Sequence, residues 1–274
     1  MIAVERVSFA YGAAPVLTDV SFSIDDHARV GILGPNGSGK TTLLKLLAGA
    51  RRERTGRVRL NEVDVATHSR IELARRLAVV PQETHLAFDY SALEIVLMGR
   101  YPHLGAFEVE GPADLAAAHR AMAATGTREF ADRGFDTLSG GEKQRVIIAS
   151  ALAQLDDDGG PTARRASPDV RRTAHGAQRT SAGVLLLDEP TASLDLKYQL
   201  EIGALIERLH DERGVSIILS THDLRFAAKH CSELVLLSRG RVLAHGAPAE
   251  VLTAARVGEL YDIDVAAAAP LVQR

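Results

Sequence analysis

Residues 29–50 read RVGILGPNGSGKTTLLKLLAGA, and this stretch decides the fold. Arg29-Val30-Gly31-Ile32-Leu33 is a short apolar run. A glycine-rich turn follows, and TTLLKLLAGA then carries Leu43, Leu44 and Leu47 at helical spacing. The order is strand, glycine loop, helix. Gly34-Pro35-Asn36-Gly37-Ser38-Gly39-Lys40-Thr41 fits G-x-x-x-x-G-K-[ST] at every fixed position, and Thr42 continues it into the helix. The glycines let the backbone curl so that successive N–H groups point at phosphate oxygens. The helix behind adds free donors and the positive end of its dipole. Lys40 offers a point charge for β- and γ-phosphates, and Thr41 an oxygen for Mg²⁺. The stretch predicts a nucleotide-phosphate site on an α/β scaffold. Alone, it leaves kinases, GTPases and ATPases open.

Upstream, Ile2, Val4, Val7 and Phe9 sit among polar residues, the chain turns at Tyr11-Gly12, and Val20, Phe22 and Ile24 follow. This pattern predicts antiparallel strands with one wet face. Downstream, strands are expected at 57–60 and 77–80, and helix over 91–125 with a Pro/Gly break around 101–112. A further helix opens after Ser139-Gly140-Gly141. VLLLD at 184–188 and VSIIL at 215–219 are continuous apolar runs, suited to a parallel sheet buried on both faces. Residues 234–237 and 241–245 read as a closing hairpin around Arg239-Gly240. Strands alternating with helices make the class α/β. Residues 155–181, LDDDGGPTARRASPDVRRTAHGAQRTS, have no apolar period and read as a flexible surface insertion, a tolerated loop sooner than a regulatory or docking element.

The 274 residues suffice for a large buried core, and their composition is that of a globular protein: 46% hydrophobic, 24% charged, 4% aromatic. A net charge of −3 gives no basic field to attract nucleic acid or anionic lipid. The single cysteine, Cys231, excludes an internal disulfide framework, fits a reducing compartment and reads as a small buried apolar residue. The first residues, MIAVERVSFAYG, lack the apolar core of a signal peptide. No run of about 18 apolar residues offers a membrane span. The expectation is a soluble protein that would serve a membrane only by docking on partners.

Leu138-Ser139-Gly140-Gly141-Glu142, followed by Lys143-Gln144-Arg145, resembles the signature motif of ABC ATPases. Serine and paired glycines opening a helix make a second phosphate-binding terminus. The resemblance implies that two subunits pair head to tail, with each ATP between the phosphate loop of one and the signature Ser139, Gly140, Gly141 and Glu142 of the other. Val184-Leu185-Leu186-Leu187-Asp188-Glu189-Pro190 resembles the Walker B strand. It puts Asp188 at a strand's C-terminal end as an Mg²⁺ carboxylate, and Glu189 next to it as the group that deprotonates the attacking water. Ser193-Leu194-Asp195 is similar to the D-loop, which reaches across the dimer. His222, after VSIILST, matches the switch histidine near the γ-phosphate. Gln82, in VVPQE, matches the Q-loop glutamine that senses Mg²⁺ and the γ-phosphate, and Tyr11 the aromatic that stacks on adenine. The implied fold is a P-loop NTPase (RecA-like) core with an N-terminal antiparallel β subdomain and an inserted helical subdomain. Its expected spans are 1–90 and 139–252 for the core and 91–138 for the helices. A short tail, 253–274, completes the chain.

Leu97-Met98-Gly99-Arg100-Tyr101-Pro102-His103 resembles the equivalent stretch in the ATPases of importers for iron–siderophore, haem and cobalamin. That resemblance implies that Arg100, Tyr101 and His103 help shape the groove receiving a coupling helix of the membrane subunit. Three polar residues at a helix end make no metal-ligand set. The implied system contains ATP with Mg²⁺, a homodimer or a paired ATPase subunit, integral membrane permease subunits and an extracytoplasmic substrate-binding protein. The chain itself would be cytoplasmic and peripheral on the inner face of the membrane. An exporter motor, or an importer for another substrate, is the alternative within transport. A soluble ABC ATPase acting on nucleic acid or ribosomes fits less well. Only about a hundred residues separate loop and signature, one cassette is present, and no basic stripe with interleaved aromatics appears. A P-loop kinase would need neither signature nor switch histidine, and a non-catalytic nucleotide-binding module would not need Glu189.

Overall fold

The computed structural model describes residues 1–51, 54–84, 86–157 and 183–272. In chain order the strands are β1 (Ile2–Tyr11), β2 (Ala14–Ile24), β3 (Arg29–Leu33), β4 (Thr55–Leu60), β5 (Val63–Asp64), β6 (Leu77–Val80), β7 (Val184–Asp188), β8 (Ser216–Thr221), β9 (Glu233–Ser238) and β10 (Arg241–Gly246). The longer helices are Lys40–Leu47, Ala92–Met98, Pro112–Thr125, Gly140–Leu155, Leu196–Arg213, Leu224–His230, Ala254–Tyr261 and Val265–Val272. Two compact units emerge. One comprises Met1–Ser69, Leu186–Ala192 and Ser216–Arg274, the other Arg70–Leu185 and Ser193–Val215. In the second unit, residues 70–90, the helix Gly140–Leu155 and Leu196–Arg213 group with the helices of 91–138.

In the first unit an antiparallel sheet runs β2-β1-β4-β5. Its alternation is interrupted where Val4 and Val7 stand three apart, and the register slips there. Arg6 takes φ 48°, and Ser21 Oγ accepts its N–H at 2.9 Å. Asp19 repeats the device on β2, with φ 52° and Ser8 Oγ as acceptor. These bulges return the apolar side chains to one face. The second sheet of this unit runs β10-β9-β3-β8 and continues into Leu186–Asp188 of β7. β3 is parallel to both β8 and β9, and β10 closes antiparallel on β9. Val30, Ile32, Ile217, Ile218, Leu234 and Val235 are fully buried, as continuous apolar runs in a parallel sheet require.

The turn between β9 and β10 braces the glycine loop. Gly240 donates its N–H to Ser38 O at 3.1 Å and accepts from Thr18 N at 2.8 Å. Its φ is +75°, and a Cβ would stand 2.2 Å from Val16 O, so only glycine serves.

In the second unit β6 lies beside Val184 and Leu185 of β7. The expected helix over 91–125 divides into Ala92–Met98 and Pro112–Thr125, with a short 3₁₀ turn at Tyr101–His103 inside the Pro/Gly break. Ser91 and Glu94 form a capping box on the first. Expected strand bounds shift by one or two residues: β8 starts after Val215 and runs to Thr221, and β4 starts at Thr55. The 155–181 insertion begins at the last residue of the signature helix, and from residue 158 to 181 it lies outside the described residues. The tail is no loose end, since 254–261 and 265–272 are helical and bury Val257, Leu260 and Ala268. No helix among the described residues is long and apolar enough to cross a membrane.

Two residues expected at a docking groove are instead internal ties. Arg100 has no exposed surface. Its Nε donates to Asp114 Oδ1 at 3.1 Å and its Nη1 to Ala153 O at 2.6 Å and to Asp156 O, closing the C-terminal end of the signature helix. His103 is also buried, with Nε2 at 2.7 Å from Gln154 O, and desolvation pushes its imidazole below the usual value. The last carbonyls of a helix lack internal partners, and these side chains supply them. Of the three, Tyr101 alone is exposed. Asp114 both neutralises Arg100 and, through Oδ2, accepts from Gly111 N at the start of its own helix. Replacing it, Asp114→Ala, leaves a buried guanidinium unpaired and is expected to cost about 3–5 kcal/mol in urea unfolding. An unchanged midpoint would show that Asp114 does not carry this tie.

Candidate active site

The glycine loop leaves β3 and enters the helix Lys40–Leu47 within the first unit. Gly34 passes so close to β9 that a Cβ would meet Leu237 O at 2.2 Å. Gly37 and Gly39 take φ of +80° and +104°, the curl that the sequence pattern demands. Lys40, 5% exposed, folds back over the loop. Its Nζ donates to Gly34 O at 2.9 Å and Pro35 O at 3.1 Å, and stands 3.2 Å from Glu189 Oε1. Thr41 Oγ1 donates to Asp188 Oδ1 at 3.1 Å.

The two acids at the end of β7 are turned to different partners by a strained backbone. Asp188 continues the strand and is buried, whereas Glu189 takes φ 46°, a left-handed conformation uncommon outside glycine. Ser220, near the end of β8, holds both. Its hydroxyl donates to Asp188 Oδ1 at 2.6 Å and accepts the N–H of Glu189 at 2.9 Å. His222, two residues further on, brings Nδ1 to 3.2 Å from Glu189 Oε2. A carboxylate only accepts, so Nδ1 is the donor. Lys40, Glu189 and His222 thus form a row with one carboxylate between two cationic or proton-bearing groups.

Ser220 was missed in the sequence. The available signal was a polar residue near the end of an otherwise apolar run, two positions before the histidine. Tyr261 was missed as well. It donates its hydroxyl to His222 O at 2.9 Å, and no local pattern announces it.

Tyr11 closes β1 at the surface, 44% exposed. Its ring meets Phe9 edge-on at 4.8 Å between centroids, and the guanidinium of Arg51 lies 5.7 Å from its centroid. Asn36 and Pro35 lie in the loop, and Thr42 is buried in the first turn of the helix.

The other candidates belong to the second unit. Gln82 is exposed in the segment after β6. Ser139 caps the helix Gly140–Leu155: its Oγ accepts from Glu142 N at 3.4 Å, and its own N–H donates to Glu142 Oε2 at 2.7 Å. That backbone N–H holds the Glu142 carboxyl below its ordinary value. Tyr198 packs its ring against Gly141 and brings its hydroxyl to 3.3 Å from Ser139 Oγ. Gly140 is exposed at the helix start. Asp195 caps the helix Leu196–Arg213 by accepting from Tyr198 N at 3.1 Å. Tyr198 therefore links Ser139 to Asp195.

The donor set suits a small hard cation. Thr41 and Asp188 present a hydroxyl and a carboxylate side by side, which is what Mg²⁺ takes from protein when phosphate oxygens supply the remainder. Among the described residues no cluster of three or more His, Cys, Asp or Glu could hold a metal by itself.

A family model described as ABC transporter matches residues 17–157, a span that includes both the glycine loop and the signature. The hemin import ATP-binding protein HmuV of Bordetella pertussis is 39% identical over 259 residues, covering 94% of this chain and 91% of that protein. The cobalamin import ATP-binding protein BtuD of Halobacterium salinarum is 39% identical over 251 residues. That match covers 92% of this chain but 56% of the relative, so the chain spans little more than half its length. Among solved structures, a transporter described as of the metal-chelate ABC type, in an inward-facing conformation, superposes with a TM-score of 0.75. It shares 27% identity, with 94% of this chain and 88% of that chain covered. The family match takes in more than half of the sequence and the relatives match across nearly all of it: the chain belongs to the ABC transporter family, with the fold of its P-loop ATPases.

Proposed function

We propose that this chain is the ATP-hydrolysing subunit of an importer that carries a metal chelate, either an iron–siderophore, haem or cobalamin, through separate membrane subunits. The row Lys40–Glu189–His222, set beside Thr41 and Asp188, carries the enzymatic part of this reading. The similarity to hemin and cobalamin import ATP-binding proteins supports the import part.

The loop N–H groups and Lys40 bind the β- and γ-phosphates, and Tyr11 stacks on adenine. Thr41 and Asp188 would hold Mg²⁺, which would neutralise charge on the phosphate oxygens when bound. Glu189 is the base. It orients a water and takes its proton as the water attacks the γ-phosphorus and the bond from that phosphorus to the β-phosphate oxygen breaks, leaving ADP, while His222 contacts the γ-phosphate and steadies the carboxylate. The fixed φ of Glu189 and the Ser220 bond to its N–H keep that base from turning away.

The signature residues Ser139, Gly140, Gly141 and Glu142, with Asp195, complete the site of a paired subunit. ATP draws two copies together because its phosphate has donors on both. Hydrolysis removes that bridge. Closure reaches the permease through the helical unit, and an extracytoplasmic binding protein delivers the chelate. The chain works peripherally on the inner face of the membrane. A ligand shifts such an equilibrium only by its unequal contacts with the two states.

Glu189→Gln is expected to retain ATP binding while turnover falls about a hundredfold or more. In static light scattering with Mg-ATP it should pass from monomer to dimer. Turnover near the original rate would remove Glu189 from the chemistry. Lys40→Ala should weaken ATP affinity at least about tenfold by isothermal titration, given a charge-assisted contact to phosphate. Unchanged affinity would contradict the phosphate-loop reading. Vesicle uptake with the cognate permease and binding protein, offering haem, cobalamin and ferric siderophore in turn, identifies the cargo.

A further inference from the structure

We infer that Tyr261 is a positioning residue for the switch histidine, and that the C-terminal helical pair is thereby a working part of the ATPase site. This rests on the role proposed above for His222.

The two helices are firmly seated. Thr253 Oγ1 accepts from Arg256 N and caps the first helix, whose Val257 and Leu260 are buried. Ala268 of the second is fully buried. From this base Tyr261 donates its hydroxyl to His222 O at 2.9 Å. Burial, reinforced by Asp223, pushes the phenol up to about 12, so it keeps its proton and remains a donor.

His222 needs such a support. Its side chain is 56% exposed, so packing does little to orient the ring towards Glu189. Orientation falls to the backbone. On the C-terminal side, Asp223 donates its N–H to Thr221 Oγ1 at 3.0 Å. Its carboxylate caps the helix Leu224–His230 through Arg225 N at 2.8 Å and Phe226 N at 3.0 Å. The carbonyl of His222 is the remaining polar group of that peptide, and Tyr261 holds it. Losing the bond frees the peptide to rotate, and the ring then swings relative to Glu189 Oε2. Neither the phenol nor its helix supplies a group of the glycine loop 34–41, so the loss is expected to fall on turnover rather than on binding.

The neighbouring Asp262 provides an internal control. It pairs with Arg239 at 3.3 Å, but both side chains are more than four-fifths exposed, and such pairs contribute little.

The experiment compares Tyr261→Phe, His222→Ala, their double variant and Asp262→Asn for ATP turnover, KM, ATP affinity and thermal midpoint. Tyr261→Phe removes one hydrogen bond and should lower kcat about threefold to tenfold. KM, affinity and midpoint should stay near the original values. The double variant should lose no more activity than His222→Ala alone, since the phenol acts through that residue. Asp262→Asn should keep kcat within about twofold. Unchanged kcat in Tyr261→Phe beside an inactive His222→Ala would overturn the inference and leave the site reading standing. An additive loss in the double variant, or a fall in affinity and midpoint that accompanies kcat, would also overturn it, since either marks a role elsewhere. Full turnover by His222→Ala would defeat the site reading, and this inference with it.

Discussion

Parallel pairing makes the site possible. Strands that run side by side in one direction end at one edge of the sheet; β3 and β8 do so here, and Ser220 near the end of β8 meets Asp188 at the end of β7. The loops that follow them therefore converge, although they come from residues 34–39, 189–192 and 222–223. Thr41 meets Asp188 across 147 positions of sequence because β3 and β7 flank β8. An antiparallel arrangement would send half of these groups to the opposite edge.

That convergence gathers charge in a place with little water. Lys40 and Glu189 are 5% and 11% exposed, and each stabilises the other. Lys40 also takes two carbonyls of its own loop, which a buried ammonium needs to satisfy its donors. Removing one member of such a pair costs about 3–5 kcal/mol. Glu189 adds backbone strain, on the order of 1–3 kcal/mol for a left-handed residue that is not glycine. Ser220 and the row of partners hold that conformation. The strain turns Glu189 away from its neighbour Asp188, so that adjacent acids face different partners.

Resemblance and burial can assign the same residues differently. The stretch from Leu97 to His103 carries the likeness to chelate importers, yet Arg100 and His103 spend their polar atoms on the last turn of the signature helix. Their contribution is to the integrity of the helical unit, and the exposed member of the set is Tyr101. The C-terminal tail reverses the case. Its Ala-rich sequence suggests little, but the helices it forms reach the carbonyl of His222.

The sequence by itself determined what depends on neighbours in the chain. The curl at Gly34–Thr41 follows from glycine dihedrals and a helix start, and VLLLD reads as a buried strand because four consecutive apolar residues ahead of an acid suit one. The caps at Ser91, Ser139 and Asp195 follow from short polar side chains ahead of a helix. The resemblance pointed further, to residues far apart such as His222, which meets Glu189 in the fold. Tertiary structure decided whatever depends on who meets whom. Ser220 reads as a plain strand residue until β7 lies beside it. Arg100 reads as a surface cation until Asp114 and two carbonyls surround it. Tyr261 is separated from His222 by 39 positions, and Gly240 from Ser38 by 202. A hydrogen bond between distant residues has no period and no propensity. It exists only once hydrophobic burial has brought its two ends together, so only the folded chain reveals it.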